Sequence, residues 1–184
     1  MEGEKIVFRD CKMLPDLYSF PGWDKYTQYE DHLFKEYIEH IKNEYIKYKG
    51  KIVRFKYYEP YNGRDEAFYH IICNKPIGRN GNKSFEPSME RSQRLLWCKA
   101  IIENEPCLEK CCEGIFTWEE LNPHTSIKQT VLYLKKYRYI VILEERENYW
   151  LFITAYYVDS PKKKKKLDEK SKEIKQKTPH FLSK

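Results

Sequence analysis

From Tyr26 onward, apolar residues recur at steps of three and four: Tyr26, Tyr29, Leu33, Tyr37, Ile41 and Tyr45, with Phe34, Ile38 and Ile46 beside them. The spacing predicts one long amphipathic helix over residues 24–49, ended by Gly50, with its aromatic stripe turned to a core. Pro21-Gly22 breaks the chain ahead of it, and Thr27 and Glu30 have the spacing of a capping box. The period then changes. In KIVRFKYY, residues 51–58, Val53, Phe55 and Tyr57 alternate with Arg54 and Lys56, which predicts a strand. AFYHIIC, residues 67–73, is apolar on both faces and reads as a second strand, paired with the first as an antiparallel hairpin across the Asn62-Gly63 turn.

Residues 74–88 carry Pro, Gly or Asn at almost every second place and read as a loop. A second helix is expected from about Pro87 to before Pro106, with Met89, Gln93, Leu96, Trp97, Ala100 and Ile101 on its buried face. The stretch 103–125 has little periodicity, and FTWEEL within it reads as one helical turn. TVLYL (130–134), YRYIVILEE (137–145) and NYWLFITAYYV (148–158) read as three strands, the last two joined by a tight hairpin. The expected fold is α+β: an N-terminal helix and a second helix packed on a mostly antiparallel sheet of four to five strands. The chain reads as a single domain, with residues 1–50 an N-terminal segment and long helix, 51–160 the α+β core, and 161–184 a Lys-rich tail.

Composition sharpens this picture. The 184 residues include 16 Tyr, 9 Phe and 4 Trp, so the core is built from rings. No run approaches the length of a membrane span, and MEGEKIVFRDCK lacks the pattern of a secretory signal; a cytoplasmic protein with no membrane partner is expected. The net charge of +6 is uneven. Residues 161–184 hold ten lysines against Asp168, Glu169 and Glu173, which leaves 24 basic and 25 acidic side chains for the rest. Attraction for a polyanion is therefore concentrated in the tail. The tail itself reads as a solvated helix or a disordered segment, unless Leu167, Ile174 and Phe181 dock it on the sheet. The six cysteines are expected to be reduced. Cys107, Cys111 and Cys112 with His124 lack the C-x2-C pairs of a zinc site, so no metal and no cofactor are expected.

Three groups of residues suit phosphate chemistry. His70, at the centre of an apolar run, is most often a structural residue in such a place, and otherwise an acid or base near neutral pH. Arg91 and Arg94 lie three apart and share a helix face, either as a salt-bridged surface with Glu90 and Glu103 or as a guanidinium clamp on phosphate, with Lys99 extending the patch. Thr154 and Tyr156 share one face of the last strand, where a hydroxyl can hold a phosphate oxygen.

Taken in order, FYHII, ERSQRLLWCKAIIEN, YIVILEERENYWLFITAYYVD and the Lys-rich end resemble phage-borne and mobile-element nuclease domains of the barnase, EndoU, colicin and RelE superfamily. The resemblance spans roughly residues 50–166. It implies one or more N-terminal helices on a four- or five-stranded antiparallel sheet, and metal-free RNA cleavage in which the 2′-hydroxyl attacks the adjacent phosphorus. On that reading His70 is the acid or base, Arg91 and Arg94 stabilise the phosphate, and Thr154 holds a non-bridging oxygen, with Lys99, Lys128, Tyr137 and Tyr156 as substrate contacts. The implied partner is RNA, whether tRNA, rRNA or mRNA, with an antitoxin or immunity protein as a further partner. The same chain also suits a non-catalytic RNA-binding module or a phage interaction protein.

Overall fold

The computed structural model describes residues 11–56, 59–74, 77–78, 84–107, 113–122 and 125–177. After a 3-10 turn, helix α1 runs Tyr26–Tyr37 and widens into a π turn, Ile38–Lys42. Tyr29, Leu33, Tyr37 and Ile41 are buried as the spacing predicts. The helix stops well short of residue 49. Tyr45 is 78% exposed, and the Thr27–Glu30 box does not form, because the N-cap is Lys25 and makes no side-chain bond. Glu30 instead accepts from Arg64 Nη1 at 2.7 Å and from the Tyr69 hydroxyl at 3.1 Å. Strands β1 (Lys47–Tyr48) and β2 (Lys51–Phe55) form a short hairpin across Lys49-Gly50. Both turn residues have positive φ, 45° and 80°, as a two-residue hairpin turn requires.

Residues 67–73 depart from the expected strand. They form no strand and no hairpin with β2. Glu66–Ile72 is a helix, α2, whose N-cap Asp65 accepts from the Ala67 amide at 3.0 Å. Every α2 residue except His70 is buried, so the run is apolar all round because it is a core helix. The second helical region is split into α3 (Met89–Ser92), capped by the Ser88 hydroxyl, and α4 (Trp97–Glu103). Its buried residues are Ser92, Leu95, Trp97, Cys98, Ile101 and Ile102, while Met89 is exposed.

Strands β3 (Phe116–Leu121), β4 (Lys128–Leu134), β5 (Tyr139–Glu145) and β6 (Tyr149–Tyr157) follow as an antiparallel meander. FTWEEL is thus β3 and not a helical turn; Phe116 and Trp118 alternate with Thr117 and Glu119, the period of a strand. The sheet has six strands in the order β1-β2-β6-β5-β4-β3, and the β2–β6 pair is parallel. The class is α+β, with helices packed on a mostly antiparallel sheet. One sheet face, including Val53, Leu132, Leu134, Tyr139, Val141, Leu143, Trp150 and Phe152, meets α1, α2 and α4 in the main core.

The other face is covered by α5 (Pro161–Lys177). Leu167, Ser171 and Ile174 recur at the spacing of one helix face; Leu167 and Ile174 pack with Phe116, Val131, Tyr133, Ile140 and Val158, and Ser171 is fully buried. The Tyr133 hydroxyl also donates to Asp168 at 2.9 Å. The segment expected to be a solvated tail is therefore a docked helix through residue 177. Phe181 lies outside the described residues, as do Cys111, Cys112 and His124. Cys11, Cys73 and Cys98 are buried. Among the described residues no helix is long and apolar enough to cross a membrane.

Candidate active site

The parallel β2–β6 pair ends at Phe55 and Phe152. There β6 carries a bulge: Leu143 pairs with Phe152 and Ile142 with Thr154, so Ile153 is an extra residue. Beyond the bulge, α2 and α3 take the place of β2 alongside β6. The candidate residues gather where strand pairing gives way to helix packing.

Arg91 ties the parts together. Its Nε donates to the Ile71 carbonyl at 3.1 Å and its Nη2 to the His70 carbonyl at 2.5 Å. These carbonyls belong to the last turn of α2, which lacks intrahelical donors. The guanidinium also lies 5.9 Å from the centre of the Tyr156 ring. Burial lowers its pKa, offset in part by Tyr139, Cys73 and Tyr156. A guanidinium has five N–H groups, so two carbonyl bonds leave donors for an anion. Arg94 sits beside it, donating to the Glu90 carbonyl at 2.6 Å and lying over the rings of Tyr157 (4.7 Å) and Trp97 (5.1 Å). Its buried Nε has no hydrogen-bond partner. The expected surface pair with Glu90 is thus a backbone contact, and both arginines are packing groups as well as cations.

His70 is the one α2 residue that reaches the surface, its side chain 27% exposed, so it is not sealed beneath α1. Nε2 lies 3.1 Å from Oε1 of Glu66, one helical turn earlier, and that carboxylate is buried. Phe85 meets the imidazole edge-on, centroids 5.2 Å apart. A ring held by a buried carboxylate and an aromatic edge is the arrangement that orients a catalytic imidazole. Glu66 is invisible as a partner on a strand reading, because residues four apart meet only on a helix.

Tyr156 links this cluster to α5. The Lys163 Nζ lies 4.3 Å from its ring centre, on the same tyrosine that Arg91 approaches. Thr154, half-buried opposite Ile142, shares the face of Tyr156 two residues before it. Arg91 thus joins the His70 backbone to the Tyr156 ring, while Arg94 packs on Tyr157, on the opposite face of β6 from Thr154 and Tyr156. Glu66, Phe85 and Tyr157 are here without having been singled out by the sequence, and Lys163 comes from the lysine run in which the sequence concentrates attraction for a polyanion.

The remaining expected contacts lie elsewhere. Lys99 points to Glu44, 3.9 Å away, on the far side of α4. Lys128 pairs with Glu119 at 2.8 Å, five residues along β4 from the Tyr133–Ile140–Tyr156 row, about 17 Å at strand rise. Tyr137 packs edge-on against Trp97, behind Arg94. A cleft of about 720 Å³ lies between α1, β2 and the start of α2, and its lining does not include His70, Arg91 or Thr154. Two of its cations are already engaged, Lys42 with Asp65 and Arg64 with Glu30 and Asp31. Among the described residues no cluster of His, Cys, Asp and Glu is arranged to hold a metal ion. The chain matches no protein-family model, no curated protein and no solved structure.

Proposed function

We propose that the protein is an endoribonuclease that cleaves RNA through the substrate's own 2′-hydroxyl, without a metal ion. The observation that carries the reading is the buried Glu66 carboxylate on the His70 imidazole, with the Arg91 guanidinium bonded to the backbone of the same residue. His70 takes the 2′-hydroxyl proton as the 2′-oxygen bonds to phosphorus. The bond from phosphorus to the 5′-oxygen breaks, and that oxygen takes a proton from water. The products are a 2′,3′-cyclic phosphate and a 5′-hydroxyl. Arg91 and Arg94 face the charge that builds on the non-bridging oxygens, and the Thr154 hydroxyl holds one of them.

The test is incubation of purified protein with tRNA and rRNA in excess chelator, followed by end-group analysis. Cyclic phosphate ends are expected. His70→Ala should lower the rate about 10²–10⁴-fold with the melting transition retained. Activity lost to chelator and restored by Mg²⁺ would overturn the reading. RNA binding without cleavage would favour the non-catalytic RNA-binding module.

A further inference from the structure

The geometry points to a single-stranded RNA track along α5, its phosphates held by Lys163, Lys166 and Lys170, leading away from the active site; the assignment rests on the ribonuclease reading above. Three observations carry it. The row begins beside the candidate site, since Lys163 lies over the same Tyr156 ring that Arg91 approaches. The row is fixed in position, because Leu167, Ser171 and Ile174 hold the helix to the sheet. And the row has a side. At 3.6 residues per turn, Lys163, Lys166 and Lys170 fall on one flank of the docked face, all exposed, with steps of three and four residues that place successive Cβ atoms about 5–6 Å apart.

The opposite flank is chemically different. There Lys164 is paired with Asp168, which also accepts from Tyr133. On the proposed row one carboxylate intervenes, Glu173, 3.2 Å from Lys170. This exposed pair is weak enough for a phosphate to displace. The helix carries nine lysines against three carboxylates, so charge complementarity favours a polyanion. Single-stranded RNA fits better than a duplex. In-line attack needs the 2′-oxygen opposite the departing 5′-oxygen, and regular stacking in a duplex withholds that geometry.

The test compares two triple variants in a His70→Ala background, where cleavage is slowed about 10²–10⁴-fold: Lys163→Gln with Lys166→Gln and Lys170→Gln, against Lys165→Gln with Lys172→Gln and Lys175→Gln. The probes are a fluorescent oligouridylate and an RNA duplex of equal length, titrated at several salt concentrations, with thermal melts of each variant. Removing the row should weaken oligouridylate binding at least about tenfold and reduce the salt slope by about 2, from about 0.7 per phosphate contact. The other triple should change the slope by less than half as much. Equal losses in both triples, or tighter binding of the duplex, would overturn the track. Without the His70 substitution the two proposals separate. A row that binds RNA in a protein that never cleaves overturns the ribonuclease reading alone. Cleavage whose KM is untouched by the row variants overturns the track alone.

Discussion

Helices α2 and α5 stand on opposite sides of the sheet and are held in opposite ways. α2 has seven residues, six of them buried. α5 has seventeen, of which Leu167 and Ser171 are buried among those described. A seven-residue helix is too short to persist alone, so α2 exists because the core closes around it. α5 is long and rich in good helix formers, so local propensity sets its shape and a few anchors set its place. The difference has a functional edge. His70 rides on the element that the core holds most firmly. The lysines ride on the element that costs least to alter, so their charge can be varied with little effect on the fold.

The largest effect expected from breaking this comparison is at Phe68, fully buried on α2 with rings of Phe34, Tyr37 and Tyr69 within 5.5 Å. Phe68→Ala should cost about 3–5 kcal/mol. Leu167→Ala on α5 should cost about 2 kcal/mol, the low end for a leucine, because the site lies at the margin of the smaller core. Urea denaturation of both variants checks the order. Equal losses would show that α5 is as integral as α2.

The same contrast explains what could be read from the chain. Strands β4, β5 and β6 are legible because Val131, Tyr133, Ile140 and Ile142 alternate with residues that meet the other core. α2 is not, because a helix buried on all sides has no period, and AFYHII is also a good strand sequence. The signal that favoured a helix was Asp65, a cap residue just ahead of the run. β2 was recognised, but its parallel partner lies almost a hundred residues on, and no local pattern announces it. At the candidate site His70, Arg91 and Thr154 were legible as residue types. Glu66 was not, since its contact depends on the helix; Lys163 was legible as part of the tail's charge, but its place beside Tyr156 depends on the docking of α5.

Asp65 gives an intermediate effect with a defined pH dependence. Burial alone would raise its pKa, but bonds from Lys42, the Ala67 amide and Tyr37 outweigh this and hold it below the ordinary value. A carboxylate with a depressed folded pKa contributes stability above the unfolded value, about 3.9, and loses it as pH falls through the folded one. Asp65→Ala should cost about 1 kcal/mol at neutral pH. Asp65→Asn should keep most of the cap yet show a shallower loss of stability below about pH 4. An unchanged acid limb in the asparagine variant would remove Asp65 from the account of how α2 is anchored.

The smallest effect expected is on α5 at Lys164. This lysine pairs with Asp168 one turn later, and Asp168 also accepts from Tyr133. Lys165, its neighbour, is exposed. An ion pair at such a site contributes at most about 1 kcal/mol, so Lys164→Ala and Lys165→Ala should both fall within about 1 kcal/mol of the parent. The titration separates them. Burial pushes the Asp168 pKa up, and the bonds from Lys164 and Tyr133 bring it below the ordinary value. Without Lys164 it should rise, measured by the carboxyl chemical shift across the acid range, while Lys165→Ala should leave it in place. Because the folded value then moves toward the unfolded one, Lys164→Ala should also lose less stability on acidification. If Asp168 titrates identically in both variants, Tyr133 alone holds it, and α5 is fixed to the sheet by its apolar face and one hydroxyl, with no contribution from its lysines.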